Sequence, residues 1–203
     1  MTGALTFAEL SRRVRQHIGQ EHRYAHCVRV ARFAETLANR HGESARKARL
    51  AGMLHDLARL YSEERLLKEC EGRGMIIDEY ERAHPLVLHA RLGAELAKER
   101  FGVEDDAVLS AIRKHTLGDA DMSPLDCILY VADTAEPGRT FAERASIATL
   151  AMQNLQEATR AALLLATEHF RSKGLQPAPQ SAAAVRALRL RERKMDEVSE
   201  RSA

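Results

Sequence analysis

The chain has 203 residues, 45% hydrophobic and 30% charged, and its 31 lysines and arginines against 29 aspartates and glutamates leave a net charge of +2. That length suits one domain, or one domain with a small appendage, and a core burying roughly 70% of the unfolded surface needs no disulfide or structural metal. The near-neutral balance makes bulk nucleic-acid attraction a poor default, and no apolar run approaches the ~20 residues of a membrane helix.

Glu9 and Arg12 stand where a secretory leader would be apolar, which argues against secretion. Three widely spaced cysteines, Cys27, Cys70 and Cys127, exclude a cysteine-based zinc knuckle and fit a reducing, cytoplasmic setting. The abundance of Ala, Leu, Arg and Glu favours helix, and no window shows clean period-two alternation. The fold class is therefore all-α.

In chain order, a short amphipathic helix is expected from Leu5 to about Ile18, punctuated by Gly19. A second runs from Glu21 to Arg40, with Val28, Phe33, Leu37 and Ala38 at helical spacing, and Gly42 follows it. Ser44 is a cap for a helix reaching about Leu60, and Ser62 starts a short one with Glu63 and Glu64 in its first turn. After a break at Gly72 and Gly74, Pro85 opens a helix to Phe101, closed by Gly102. The next spans Val103 to His115. Ser123-Pro124 opens one to Ala135, stopped by Pro137-Gly138. A single long helix is expected from about Ile147 to Phe170, ended by Gly174, with residues 176–180 as a linker. Residues 1–178 thus form one domain. Residues 179–203 form a charged tail with few apolar side chains, a surface helix or a disordered segment whose removal after Gln180 should leave activity intact.

The nine histidines are informative by placement. His26 lies in the first turns of its helix, and His55-Asp56 follows the apolar run Leu50–Leu54. His89 begins a helix, His115 ends one, and Asp133 follows the apolar run Ile128–Ala132. One helical histidine is ordinary, and one aspartate in an apolar helix usually caps or pairs with an arginine. The ordered set, each member on a separate helix, is harder to obtain by accident. An ionised carboxylate in such surroundings is costly unless paired or metal-bound. Imidazole with carboxylate and without thiolate suits iron, manganese or zinc. His84 reads as a loop histidine near substrate and His22 as exposed. His17, His41 and His169 read as helix-end or surface residues, and Cys27 as small apolar packing.

The order of ligands resembles the HD-domain metal-dependent phosphohydrolases. The words EHRYAH (21–26), LHDLAR (54–59), HARLGAELAKERFG (89–102), IRKHTLG (112–118) and YVADTAEPGRTF (130–141) are similar to the YqeK-type symmetrical diadenosine tetraphosphate hydrolases. The resemblance covers about residues 10–178 and implies an HD-domain helical bundle with a metal in its core. It implies that His26, His55, Asp56 and Asp133 hold a divalent metal, iron in similar proteins. By the same resemblance His89 and His115 bind a second metal or the substrate phosphates, and Arg23, Arg59, Arg139, Thr140 and Phe141 embrace the nucleotide. Arg59 departs from a usual lysine, Ala135 from a larger aliphatic residue, and the chain beyond about Leu188 has no counterpart.

Phosphoanhydrides resist hydroxide through charge repulsion, which a divalent metal relieves while lowering the pKa of water. Asp56 would sit beside the attacking water, and His89 or His115 would donate to the leaving phosphate, imidazole pKa values lying near working pH. The implied reaction splits a dinucleoside polyphosphate substrate into two ADP. The alternatives are another HD phosphohydrolase, acting on nucleoside mono- or triphosphates or cyclic dinucleotides, and a helical RNA- or partner-binding module with a vestigial metal site. A homodimer is compatible with the sequence.

Overall fold

The computed structural model describes residues 6–201, with side chains through Arg191. Leu5, where the first helix was expected to start, and the side chains of the tail from residue 192 onward lie outside this description. Among the described residues the chain is helical, with no strand, and no helix is long and apolar enough to cross a membrane.

Helix α1 spans Phe7–Ile18, α2 Glu21–Arg40, α3 Ala45–Leu54, α4 Glu63–Gly72 and α5 Glu79–Ala83. A 3₁₀ turn at Pro85–Val87 leads into α6, Leu88–Phe101, followed by α7, Asp106–Lys114, and α8, Pro124–Ala135. The chain continues through α9, Arg144–Gln153, α10, Leu155–Ser172, and α11, Pro179–Arg201. Helix α2 packs along α3 and α8, α7 packs against α3, α6 and α8, and α10 packs on α8 under α11.

The core is mostly Leu, Ala, Val and Ile. Leu37, Met53, Leu54, Leu88, Leu92, Ile112, Ile128 and Leu163 are fully buried. Small residues allow the closest approach. A Cβ at Gly52 would stand 2.6 Å from Cα of Ala31, so α2 and α3 touch through backbone there. This contact brings the first turns of α2 to the end of α3, where the polar residues converge.

Three elements differ from the sequence expectation. The helix beginning at Ser44 ends at Leu54 instead of about Leu60. His55 Nδ1 donates to the Gly52 carbonyl at 2.8 Å, the acceptor that a continuing helix would use, and the chain goes on in tighter i→i+3 bonds such as Arg59 N–H to Asp56 O. The long helix expected from Ile147 to Phe170 is two helices. Asn154 breaks it with extended backbone, and its side chain caps the Glu157 N–H. Helix α5 was not anticipated. Asp78 and Glu81 form its capping box.

The tail also differs in what it buries. Ala184 and Leu188 of α11 are 0% and 1% exposed and belong to the main core. Packing therefore continues past residue 178.

Candidate metal centre

Five helices deliver six polar side chains to one cluster. His26 comes from α2, His55 and Asp56 from the end of α3, His89 from the start of α6, His115 from the cap of α7 and Asp133 from α8. His26, His55, Asp56, His89 and His115 are all buried.

Asp56 is central. Its Oδ2 lies 3.4 Å from His55 Nε2 and 3.8 Å from His26 Nε2. Its Oδ1 lies 3.5 Å from His89 Nε2 and 3.9 Å from His115 Nε2. Asp133 Oδ1 faces His26 Nε2 at 3.0 Å and His55 Nε2 at 3.7 Å. Three ligand groups, His26–His55–Asp56, His55–His115–Asp133 and Asp56–His89–His115, each hold their candidate atoms within 4.8 Å of one another.

The imidazoles are oriented from behind. The Nδ1–H groups of His55, His89 and His115 donate to the carbonyls of Gly52, Leu86 and Ile112, each three residues earlier, at 2.8, 2.6 and 2.7 Å. That fixes the tautomer and turns each Nε2 lone pair inward. His26 Nδ1 instead donates to Glu136 Oε1 at 3.1 Å, and Arg29 grips Glu136 with bonds of 2.6 and 3.0 Å. Nε2 of His26 and of His55 are buried atoms with no hydrogen-bond partner. A polar atom left so inside a protein costs about 1–3 kcal/mol. A cation ligated at these atoms removes the deficit, so the donor set fits a divalent transition ion.

Electrostatics follow the geometry. Burial opposes charge on Asp133, but His26, His55 and Arg139 hold its carboxyl far below the usual range. Asp56 is likewise held low against burial, chiefly by His55. Burial also disfavours a proton on His55, yet Asp56 and Asp133 overcome it and push the ring up to about 9. His115 goes the other way: burial, with repulsion from His55 and His89, takes it down to about 3. His89 is lowered mainly by burial. Burial thus disfavours a proton on both His89 and His115 in the absence of a bound group.

The expected arginines divide. Arg23 Nη1 donates to Asp56 Oδ2 at 2.9 Å, and Arg139 Nη2 to Asp133 Oδ1 at 2.6 Å. Arg59 is half-buried one turn past Asp56, and its charge contributes to lowering His89. Thr140 is exposed and Phe141 packs partly buried against the core, so of that stretch Arg139 is the residue bonded to the cluster. His84 stacks beside Tyr80, with ring centroids 4.6 Å apart, and His22 is exposed.

Three contributors were missed. Glu136 and Arg29 support His26. The signal available was their spacing, Glu136 three residues after Asp133 and Arg29 three after His26. Thr116 was passed over beside His115, although its hydroxyl lies 3.2 Å from Nε2 of both His89 and His115.

The chain is similar to several known proteins. The HD-domain model matches residues 23–138. Over 138 residues the chain is 37% identical to a Bacillus subtilis protein named symmetrical bis(5'-nucleosyl)-tetraphosphatase, spanning 68% of this chain and 74% of the relative. A Halalkalibacterium halodurans protein of the same name is 35% identical over 156 residues, covering 74% and 80%. A crystal structure from Clostridium acetobutylicum, described as a "predicted HD superfamily hydrolase involved in NAD metabolism", superposes with a TM-score of 0.88 at 30% identity, over 93% of this chain and all of that one. The chain belongs to the HD-domain family and, within it, to the branch of the symmetrical bis(5'-nucleosyl)-tetraphosphatases.

Proposed function

We propose that the protein hydrolyses dinucleoside polyphosphates, splitting the central anhydride of diadenosine tetraphosphate into two ADP. The observation that carries this reading is the placement of Asp56. Its Oδ2 faces His26 and His55, and its Oδ1 faces His89 and His115. One buried carboxylate serving two imidazole pairs suits phosphoryl chemistry on a polyanion, and the names of the bacterial relatives supply the substrate.

His26, His55, Asp56 and Asp133 would hold a divalent ion, iron by the family resemblance, with manganese also suited to this donor set. His89 and His115 would hold a second ion or the phosphate oxygens. When bound, such an ion supplies neutralisation of phosphate charge and a water of lowered pKa. Asp56 would accept a hydrogen bond from the attacking water and hold it in line with a central phosphorus. The water oxygen stays with one ADP, the bond to the bridging oxygen breaks, and the second ADP leaves with that oxygen. Arg23 and Arg139, bonded at the rim to the two carboxylates, have planar forks that match phosphate oxygens. Arg59 would add a third positive group, and Thr140 and Phe141 would flank the nucleoside. The three cysteines are buried free thiols, which supports a cytoplasmic setting.

Anaerobically purified protein incubated with a nucleotide panel and resolved by chromatography tests this. ADP as the sole product from diadenosine tetraphosphate is expected. AMP plus ATP, or turnover confined to mononucleotides or cyclic dinucleotides, contradicts it.

A further inference from the structure

Among its described side chains, helix α11 supplies nothing to the His/Asp cluster, yet those through Arg191 are bonded to the segment that follows His115. Three loop carbonyls between α7 and α8 receive donors from α11. Ser181 Oγ donates to Leu117 O at 2.8 Å, and Arg191 donates to Met122 O at 2.6 Å and to Ala120 O at 3.2 Å. Between these points Gly118, at φ +68°, lies against α11. A Cβ there would stand 3.2 Å from that of Ala184. At the start of the same helix, Gln180 Nε2 donates to Asp78 Oδ2 at 2.8 Å. Asp78 caps α5, which runs through His84 toward His89.

We propose that the first half of α11 is a positioning strap. Through Ser181 and Arg191 it holds the turn carrying His115 and Thr116, and so sets how tightly the His89–His115 face grips the substrate phosphates. The proposal rests on the hydrolase reading above. A loop position gains its geometry from the bonds that tie it down, and a hydroxyl displaced by ~1 Å from two 3.2 Å contacts loses both. Ser181 and Arg191 bond to loop carbonyls and act through His115 and Thr116. Arg191 reaches the two carbonyls with separate nitrogens of one planar fork. The strap predicts that loss of α11 weakens substrate binding, in contrast to the sequence expectation of unchanged turnover.

The test uses point variants of the full chain, Ser181→Ala and Arg191→Met, with Ser181→Thr as the hydroxyl-keeping control. Each loss variant should raise KM for diadenosine tetraphosphate roughly three- to tenfold, the worth of about one hydrogen bond, with kcat within about twofold. Ser181→Thr should restore the wild-type KM. Hydrogen exchange should quicken at residues 116–122 while residues 26–31 and 52–56 keep their protection. Unchanged KM with unchanged exchange at 116–122 overturns the strap. Exchange rising equally across the whole core also overturns it, since that is global destabilisation. The exchange readout needs no turnover, so a wild-type protein that fails to cleave the substrate would sink the functional reading separately from the bonding role of α11.

Discussion

Nε2 of His89 lies 3.1 Å from Nε2 of His115, and the Thr116 hydroxyl stands 3.2 Å from both. Each ring spends its Nδ1–H on a backbone carbonyl, so two lone pairs face one another. A single hydroxyl proton satisfies one of them. The arrangement is relieved by a cation or a polar substrate group between the rings. His89→Ala and His115→Ala should each lower kcat/KM about 10²-fold, the scale of losing a preorganised group where charge develops. Both should keep an ion proposed to be held by His26, His55, Asp56 and Asp133. Steady-state kinetics paired with elemental analysis checks this, and loss of all metal in either variant would show that the two halves of the cluster form one site.

Glu136 carries the orientation of His26. Burial works against its charge, but Arg29, the Gly138 N–H and His26 hold its carboxyl down to about 2, so it remains a carboxylate across the working range. Glu136→Gln keeps the shape and removes the charge behind His26. Loss of such a partner costs about 10–100-fold in metal affinity or activity. A chelator-competition titration reads this, and an affinity equal to wild type would remove Glu136 from the centre.

Metal uptake should expel a proton. In the metal-free protein His55 is raised from its ordinary 6.5 to about 9, so at neutral pH the ring is charged, and a ligand must be neutral. Affinity for a divalent ion should therefore rise with pH, by about tenfold per unit, until about pH 9 and then level. The metal-free fold should show the opposite trend. The stability contributed by charged His55 is fully present below pH 6.5 and is lost as pH rises through about 9. Calorimetry in buffers of different ionisation enthalpy counts the proton. A pH-independent affinity between about 6 and 8 would contradict the charge assignment.

Gly52 does two jobs, touching Ala31 through backbone and accepting from His55. Gly52→Ala places a methyl 2.6 Å from Cα of Ala31, where backbone must move. The expected cost is about 1–3 kcal/mol or more, a drop of roughly 2–10 °C in the unfolding midpoint. An unchanged midpoint would mean that α2 and α3 separate more easily than their packing implies.

Much of the site was legible because its residues break local rules. Asp56 and Asp133 follow apolar runs, where a carboxylate needs a partner, and the histidines mark four separate helices. Helix ends with strong chemistry were legible too: Gly42, Gly102 and Ser123-Pro124 stand within two residues of them. The break at Asn154 was hidden because Leu150, Ala151, Leu155 and Ala158 keep apolar spacing across it. Only the cap from Asn154 to Glu157 marks it. The early end of α3 was hidden because it depends on a side chain competing for a backbone acceptor. Charge along α11 masked Ala184 and Leu188, which join the core from a mostly polar helix. Glu136 and Arg29 look like ordinary surface charge until the fold folds one over the other.

The most direct measurement is the metal content of the purified chain, read by elemental analysis alongside His55→Ala and Asp56→Ala variants verified as folded. A stoichiometric divalent transition ion in the wild type, lost in both variants, is the predicted result. Wild-type protein unable to take up any such ion, or variants that retain it in full, would contradict the metal centre and the chemistry built on it.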